Sequence, residues 1–194
     1  GIFPLTLVFA GFMENNSRNR QSPLKNSVAF GIPRSSIYLG KFLVQVLIGS
    51  LVYLILPAVL VCLSWLFLEH SNEGEWYYLA HALIGGYPLC VFMLSIGFCF
   101  IFNIGNSISG ILPILFIVYI LPYLFRFLGL KYPFFSEAAK WCPASMLGLS
   151  FDNAGIHFYW DTPIRMLRCY LSGLGGALIF LCAGIFWLKK REIR

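Results

Sequence analysis

Residues 42–68 read FLVQVLIGSLVYLILPAVLVCLSWLFL, a stretch without a charged side chain. A helix needs about 20 predominantly apolar residues to cross the hydrocarbon core of a bilayer. In that core the backbone polar groups find no water, so a helix, which satisfies them internally, is the expected conformation. The stretch therefore predicts a transmembrane helix.

Three further stretches fit the same description, namely residues 78–102, 108–128 and 166–188. Residues 1–13 are also apolar and resemble the tail of an earlier span. Because the chain opens on Gly1 inside this apolar run, we expect one more span upstream of it. The sequence thus predicts an all-α, polytopic bundle of transmembrane helices in a single domain, residues 1–194, which is partial at its start.

The composition agrees with lipid as the main solvent of the chain. Hydrophobic residues make up 59% and charged residues 11% of the 194 residues, and the mean hydropathy is +0.78. A soluble domain has about 25% charged residues, so the polar surface here is too small to cover a water-facing globule. The six cysteines form no C-x-x-C pair and the three histidines are scattered, so no metal site is predicted.

The formal net charge is +6, and the basic residues concentrate in residues 18–41 and 189–194, each beside an apolar span. In a soluble protein such a charge would suggest nucleic acid as a partner, but here the positive-inside rule explains it. Residues 69–77 contain three glutamates and no Lys or Arg. We therefore expect residues 14–41 and the C-terminus in the cytoplasm, and residues 69–77 and 129–165 outside.

The outer segment 129–165 is too apolar for an open loop, because it carries aromatic residues along its length. Residues 137–149 predict a short helix lying in the outer interface, although Pro143 favours a break within it. We interpret the segment as an interfacial or partly re-entrant helical hairpin. A flexible, solvated loop is the alternative.

The cytoplasmic loop carries the most informative pattern. Ser22 is a good N-cap and Pro23 suits the first helical position. Gly31 is a plausible helix stop, with Pro33 just beyond it. Residues 22–32 therefore predict a short amphipathic helix between two spans, with an apolar face made by Leu24, Val28 and Ile32. Ser35 or Ser36 is then expected to cap the following helix.

The segment Gly-Ile-Pro-Arg-Ser-Ser-Ile-Tyr-Leu-Gly-Lys, residues 31–41, resembles the loop that leads into the third span of ABC type-2 permeases. That family is the membrane-spanning subunit of ABC exporters. Departures are Ser22-Pro23, where Gly-Thr is common, and Pro33, where Ser is common. The resemblance implies that residues 22–32 form a coupling helix, and that contact with an ATPase subunit involves Glu14, Lys25, Gly31, Arg34, Tyr38 and Lys41.

The resemblance also implies a function. The chain would be a permease of the bacterial plasma membrane, forming an export pathway for an amphipathic, peptide-like or drug-like cargo such as an antimicrobial peptide. Its partners would be an ATP-binding subunit, a second permease subunit in a homo- or heterodimer, and the bilayer. We expect no cofactor and no catalysis by this chain, because Gly40-Lys41 lacks the glycine spacing of a phosphate-binding loop.

The polar residues in or beside the spans leave alternatives open. They are candidates for a pathway lining, but interhelical hydrogen bonding is the simpler interpretation; the set is Gln45, Ser50, Ser64, Ser95, Asn103, Asn106, Ser107 and Ser109. His81 is either a proton or substrate contact or a hydrogen-bonded interfacial residue.

Two other classes of function make different demands on the sequence. A membrane protease or acyltransferase needs a nucleophile with a base, or paired acids, at bilayer depth, and the spans contain neither. A non-transporting membrane immunity or sensor protein remains the alternative to a permease.

Overall fold

The computed structural model describes eight ranges of the chain. Within them, three helices are long and apolar enough to span a membrane, which indicates a membrane protein built as a helix bundle. The remaining described elements are shorter helices and one pair of strands. The described ranges are 33–67, 75–104, 112–113, 115–142, 145–146, 150–152, 155–157 and 162–190.

Helix α1 runs from Arg34 to Phe67. It starts directly after Pro33, whose carbonyl oxygen accepts hydrogen bonds from the N–H groups of Ser36, at 3.0 Å, and Ile37, at 3.3 Å. The prediction that Ser35 or Ser36 caps this helix is therefore wrong, since both lie in its first turn. At a rise of 1.5 Å per residue the helix is roughly 50 Å long, so it tilts or extends beyond a hydrocarbon core of about 30 Å.

Helix α2, Glu75–Ile104, is central to the bundle. In its most apolar stretch of 18 residues 61% is buried inside the protein, whereas the corresponding share for α1 is 11%. Helix α2 continues two residues past 102, the predicted end of the span. Within this last turn the side-chain amide of Asn103 donates to the carbonyl oxygen of Cys99, one turn earlier, at 2.8 Å.

The next predicted span, 108–128, corresponds in part to an apolar helix over Phe116–Gly129. A π-helical turn, Phe116–Ile120, leads into helix α3, Leu121–Gly129, and the Leu121 N–H donates to the Phe116 carbonyl. Pro122, which has no N–H to give, follows immediately. The described helix is too short to qualify as a span, and residues 105–111 and 114 lie outside the described ranges.

Helix α4, Pro133–Lys140, folds back on α3. Its position corrects the predicted helix at 137–149, which overlaps it only from Glu137 to Lys140. Pro133 at the first helical position, after an extended Tyr132, fixes the start. Strands β1, Ser150–Asp152, and β2, Gly155–His157, then pair antiparallel, a feature that the sequence pattern did not predict.

Helix α5, Pro163–Lys190, runs parallel to α2 and packs along it. Small residues of α5 make the approach possible: a Cβ at Gly173 would overlap the backbone of Pro88, and one at Gly176 would overlap the Phe92 ring. These small residues therefore serve packing within the chain, where they allow the two helices to approach closely.

Candidate functional site

The first turns of α1 pack against the far ends of α2 and α5. Tyr38 is fully buried, and its ring makes edge-to-face contacts with Phe98, at a centroid distance of 4.8 Å, and Phe102, at 5.1 Å. Phe42, one turn later, contacts Phe98 in the same manner at 5.6 Å. Together with Leu188 of α5 these residues form a buried cluster, which we call the helix junction.

Gly184 and Asn103 complete the helix junction. The Cα of Gly184 faces Tyr38 so closely that a Cβ would overlap the tyrosine hydroxyl. The Asn103 amide donates both to the Cys99 carbonyl, at 2.8 Å, and to the Gly184 carbonyl, at 3.3 Å, so one side chain links α2 to α5. The three helix ends are thus held together by aromatic packing and by the hydrogen bond from Asn103 to Gly184.

Three of the six residues that the resemblance assigned to ATPase coupling lie outside the described residues: Glu14, Lys25 and Gly31. The other three occupy the beginning of α1. Arg34 is its first residue, Tyr38 is in the helix junction, and the Lys41 ammonium lies 5.8 Å from the centroid of the Phe102 ring. Such a cation–π geometry is favourable within about 6 Å.

The burial of Tyr38 changes its expected role. With no exposed surface, its side chain offers nothing to a partner subunit in this conformation. Its hydroxyl is buried and has no hydrogen-bond partner among the described residues. Tyr38 therefore acts by packing the start of α1 onto α2 and α5, whereas Lys41, half-buried beside it, retains part of its surface.

The basic residues at the end of α5 lie at the same end of the bundle. Leu188 belongs to the helix junction, and Lys189 and Lys190 follow it directly, both exposed. The Lys190 ammonium lies 4.6 Å from the Phe186 ring centroid. The start of α1 and the basic end of α5 thus share one end of the bundle, as the charge pattern predicted.

A second polar group of side chains lies farther along the same helices, and we call Ser50, Tyr53, Tyr87 and Tyr170 the tyrosine cluster. The Ser50 hydroxyl donates to the Val46 carbonyl at 2.7 Å, and the Tyr87 hydroxyl lies 2.8 Å from Ser50 Oγ. Since Ser50 has a single hydroxyl hydrogen, Tyr87 is the donor in that pair. The Tyr53 and Tyr87 rings meet edge-to-face at 5.7 Å.

The cluster surrounds a proline in α2. Pro88 has no N–H, so the carbonyl of Ile84, four residues earlier, lacks its usual helical donor. The Tyr170 hydroxyl of α5 donates to that carbonyl at 3.2 Å. The Tyr53 hydroxyl of α1 donates to the neighbouring Leu83 carbonyl at 2.8 Å. Two tyrosines from two other helices thus satisfy the backbone next to the proline.

Sequence reasoning named Ser50 but missed the three tyrosines. The usable signal was Pro88, because a proline inside a span frees one carbonyl that another side chain must satisfy. Which side chain does so depends on helix packing and is not written in the local sequence.

Of the other predicted polar residues, Ser95 and His81 have local partners, whereas the side-chain amide nitrogen of Gln45 is buried with no hydrogen-bond partner among the described residues. Ser95 donates within α2, to the Phe92 carbonyl at 2.7 Å. His81 Nδ1 lies 2.9 Å from the Tyr77 carbonyl oxygen, which makes His81 a hydrogen-bonded residue, one of the two alternatives considered. Within the described ranges, no three His, Cys, Asp or Glu side chains are placed to hold a metal ion.

The opposite end of the bundle is fastened through α4. The Ser172 hydroxyl of α5 donates to the Trp141 carbonyl at 2.8 Å, which attaches the end of α4 to α5. On α4 itself, Lys140 forms an ion pair with Glu137. The Lys140 hydrogen bond and charge, with a smaller contribution from Arg168, hold the pKa of Glu137 below its ordinary range.

Searches against protein-family models, curated proteins and solved structures return no match to this chain. The functional conclusion therefore rests on the sequence pattern and on the geometry of the helix junction and the tyrosine cluster.

Proposed function

We propose that this chain is the membrane-spanning permease subunit of an ATP-binding cassette exporter. It would form the translocation pathway with a second permease subunit, identical or different, and be driven by a separate ATP-binding subunit in the bacterial plasma membrane. The observation that carries the proposal is the packing of the first turns of α1 onto the ends of α2 and α5.

The helix junction gives a physical route for coupling. Residues 22–32, the predicted coupling helix, precede α1 with no more than Pro33 between them. A displacement of that segment by closure of the ATPase would be transmitted to Arg34 and onward to Tyr38. Because Tyr38 is packed tightly against Phe98, Phe102 and Gly184, the start of α1 cannot move without shifting α2 and α5. The helices would then have two alternative packing arrangements, and ATP binding to the partner subunit would favour one of them.

The residue types in the described spans indicate the class of cargo. The described spans carry no Asp or Glu beyond Glu75, the first residue of α2, so the interior of the bundle is apolar apart from hydroxyl and amide groups. Such a pathway suits an amphipathic, peptide-like or drug-like molecule better than a small ion, which needs charged or carbonyl ligands.

The test is to identify candidate ATP-binding proteins encoded near its gene, to co-express the chain with each of them and to purify any complex. We expect the complex to form and its ATPase rate to respond to cargo. Deleting residues 14–34 should abolish capture, and Gly31→Pro or Arg34→Glu should uncouple the ATPase rate from cargo while expression is retained. Lys140→Gln, at the opposite end of the bundle, is the matched control and should change neither.

Two results would remove the proposal. One is capture of the ATPase that is equally strong without residues 14–34. The other is a chain that binds its ligand and confers protection with no ATPase partner, which would establish the membrane immunity or sensor alternative.

A further inference from the structure

The tyrosine cluster lies within the span of the helices and away from their ends. Ser50 follows Arg34 by 16 residues along α1, and Tyr87 follows Glu75 by 12 residues along α2. At 1.5 Å per residue these are about 24 Å and about 18 Å from the respective helix starts. A hydrocarbon core of about 30 Å therefore encloses the cluster, and hydroxyl groups at that depth need either protein partners or a bound molecule.

Each of the four hydroxyl hydrogens in the cluster is donated to another group of the protein. Ser50 donates to Val46, Tyr87 to Ser50, Tyr53 to Leu83 and Tyr170 to Ile84. A hydroxyl has one hydrogen but two lone pairs, so each phenolic oxygen keeps acceptor capacity after donating. The cluster can therefore accept hydrogen bonds from an incoming molecule but has none left to donate.

The accessible part of the cluster is aromatic as well as polar. Tyr87 is 38% exposed, whereas Tyr53, whose ring lies against it, is 8% exposed. Aromatic faces attract cations, and the attraction grows when the cation is shielded from water. Around Tyr87 the surfaces of α1 and α2 are apolar and exposed, which would accommodate a hydrocarbon tail; they include Leu47, Leu51, Leu54 and Ile84.

We infer that the tyrosine cluster binds the head group of an amphipathic molecule carrying a primary ammonium, held by N–H donation to the Tyr87 oxygen and by the exposed face of the Tyr87 ring. This deepens the permease proposal by naming the class of cargo, and it rests on that proposal only for transport. Binding itself requires neither an ATPase nor a second subunit. With no carboxylate at this depth in the described spans, the cation is held without an ion pair, so it can also leave.

A purely structural role is the competing explanation, because Tyr53 and Tyr170 also satisfy the backbone beside Pro88. Tyr87 separates the two roles. Its bond goes to a serine side chain that is already satisfied by Val46, so a structural role predicts a small stability change and no ligand selectivity.

The experiment uses the full chain labelled with 3-fluorotyrosine in lipid nanodiscs, followed by ¹⁹F NMR. The probes are hexylammonium, hexyltrimethylammonium and hexanol, which share a tail but differ in charge and in N–H donors. Tyr87 is assigned by the loss of its signal in Tyr87→Phe. Tyr123, which is 69% exposed on α3, reports unspecific partitioning into lipid.

We expect a saturable shift at Tyr87 with hexylammonium and a linear or absent one at Tyr123. Hexylammonium should bind roughly tenfold more tightly than hexanol, as expected for one hydrogen bond to a charged donor, with hexyltrimethylammonium between them because it keeps only the cation–π attraction. Read on the Tyr53 signal, Tyr87→Phe should weaken ammonium binding and Tyr123→Phe should not.

Ser50→Ala gives a second, independent variant. It removes the acceptor of the Tyr87 hydrogen, so Tyr87 becomes a free donor and the preference for ammonium over alcohol should shrink. The inference fails if hexylammonium binds no tighter than hexanol, or if Tyr87 and Tyr123 respond alike. Such a failure would leave the ATPase capture experiment, and hence the permease proposal, untouched.

Discussion

The Cα atom of Gly184 faces the hydroxyl group of Tyr38 across the seam between α5 and α1, with no room for a methyl group between them. The Tyr38 ring cannot retreat easily, because Phe98 and Phe102 hold it on its other sides. The hydroxyl itself has no hydrogen-bond partner among the described residues. The contact therefore depends on steric fit. Adding or removing one or two atoms there should change the free energy of unfolding.

The first prediction concerns Gly184→Ala. The added methyl overlaps the Tyr38 hydroxyl, and overpacking of this kind costs about 1–3 kcal/mol of unfolding free energy. Gly175→Ala, whose Cβ would meet open space on the same helix, is the matched control and should be neutral or slightly stabilising. Denaturation of the purified chain in mixed micelles, followed by circular dichroism, measures both.

Tyr38→Phe should rescue part of the Gly184→Ala loss, since it removes the overlapping oxygen while keeping the ring. By itself Tyr38→Phe should be near neutral, because an unpaired buried hydroxyl contributes little to stability. A large loss from Tyr38→Phe alone would mean that a residue outside the described ranges bonds the hydroxyl, and would contradict this account.

The second prediction is a double-mutant cycle on Tyr170 and Pro88. Tyr170→Phe removes the donor to the Ile84 carbonyl and should cost about 1 kcal/mol. Pro88→Ala restores a backbone N–H that can take over that carbonyl, so Tyr170→Phe should cost less in that background. Unfolding in mixed micelles gives the four free energies. Equal losses in both backgrounds would show that Tyr170 does not serve the freed carbonyl.

The third prediction is the titration of Glu137. Its pKa is held low chiefly by the Lys140 hydrogen bond and charge, and to a smaller extent by Arg168. A carboxylate with a depressed pKa contributes its stabilisation above the ordinary glutamate pKa and loses it as the pH falls through the folded value. The contribution is local to α4, because the side chain is exposed.

Carbon-13 NMR of the Glu137 carboxyl group measures this pKa directly. Lys140→Gln should raise the pKa toward the ordinary range, and Arg168→Gln should raise it by less. A larger effect of Arg168→Gln, or an unmoved pKa in Lys140→Gln, would be inconsistent with the geometry of the ion pair.

The fourth prediction concerns sidedness. Lys131, in the turn between α3 and α4, and Lys189, at the end of α5, are both exposed and lie at opposite ends of the bundle. In a cysteine-free background, Lys131→Cys in intact cells should react with a membrane-impermeant maleimide, and Lys189→Cys should react only after lysis. The reverse pattern would invert the orientation expected from the charges.

Hydropathy was sufficient to locate α1, α2 and α5, because an uncharged stretch of span length has few alternatives to a helix in lipid. The ends were less predictable: Pro33 supplies the first helical acceptor, so α1 begins at Arg34 and not after a serine cap. The position of α4 depends on Pro133 and its packing on α3, which a periodicity argument centred on residues 137–149 overlooked.

The candidate sites were harder to predict than the helices, because their residues are far apart in the sequence. Tyr38 was identified from a family pattern, but its burial depends on Gly184 and Phe98. Tyr170 lies 86 residues from the carbonyl that it bonds. Local sequence indicates that Pro88 needs a compensating donor, and only the packing of α5 on α2 identifies which one.

Helix α1 is attached to the rest of the described chain at two levels, near Tyr38 at its base and near Tyr53 close to its middle, while most side chains from Leu54 to Phe67 are exposed. Helix α1 can therefore pivot as a rigid lever about the contact at Tyr53. Residues 38 to 53 and 53 to 67 span similar lengths, about 22 Å and about 21 Å at the helical rise. A sideways displacement of the base by a few ångströms, together with the ends of α2 and α5 that are packed on it, would then move the other end of α1 by a comparable distance in the opposite direction.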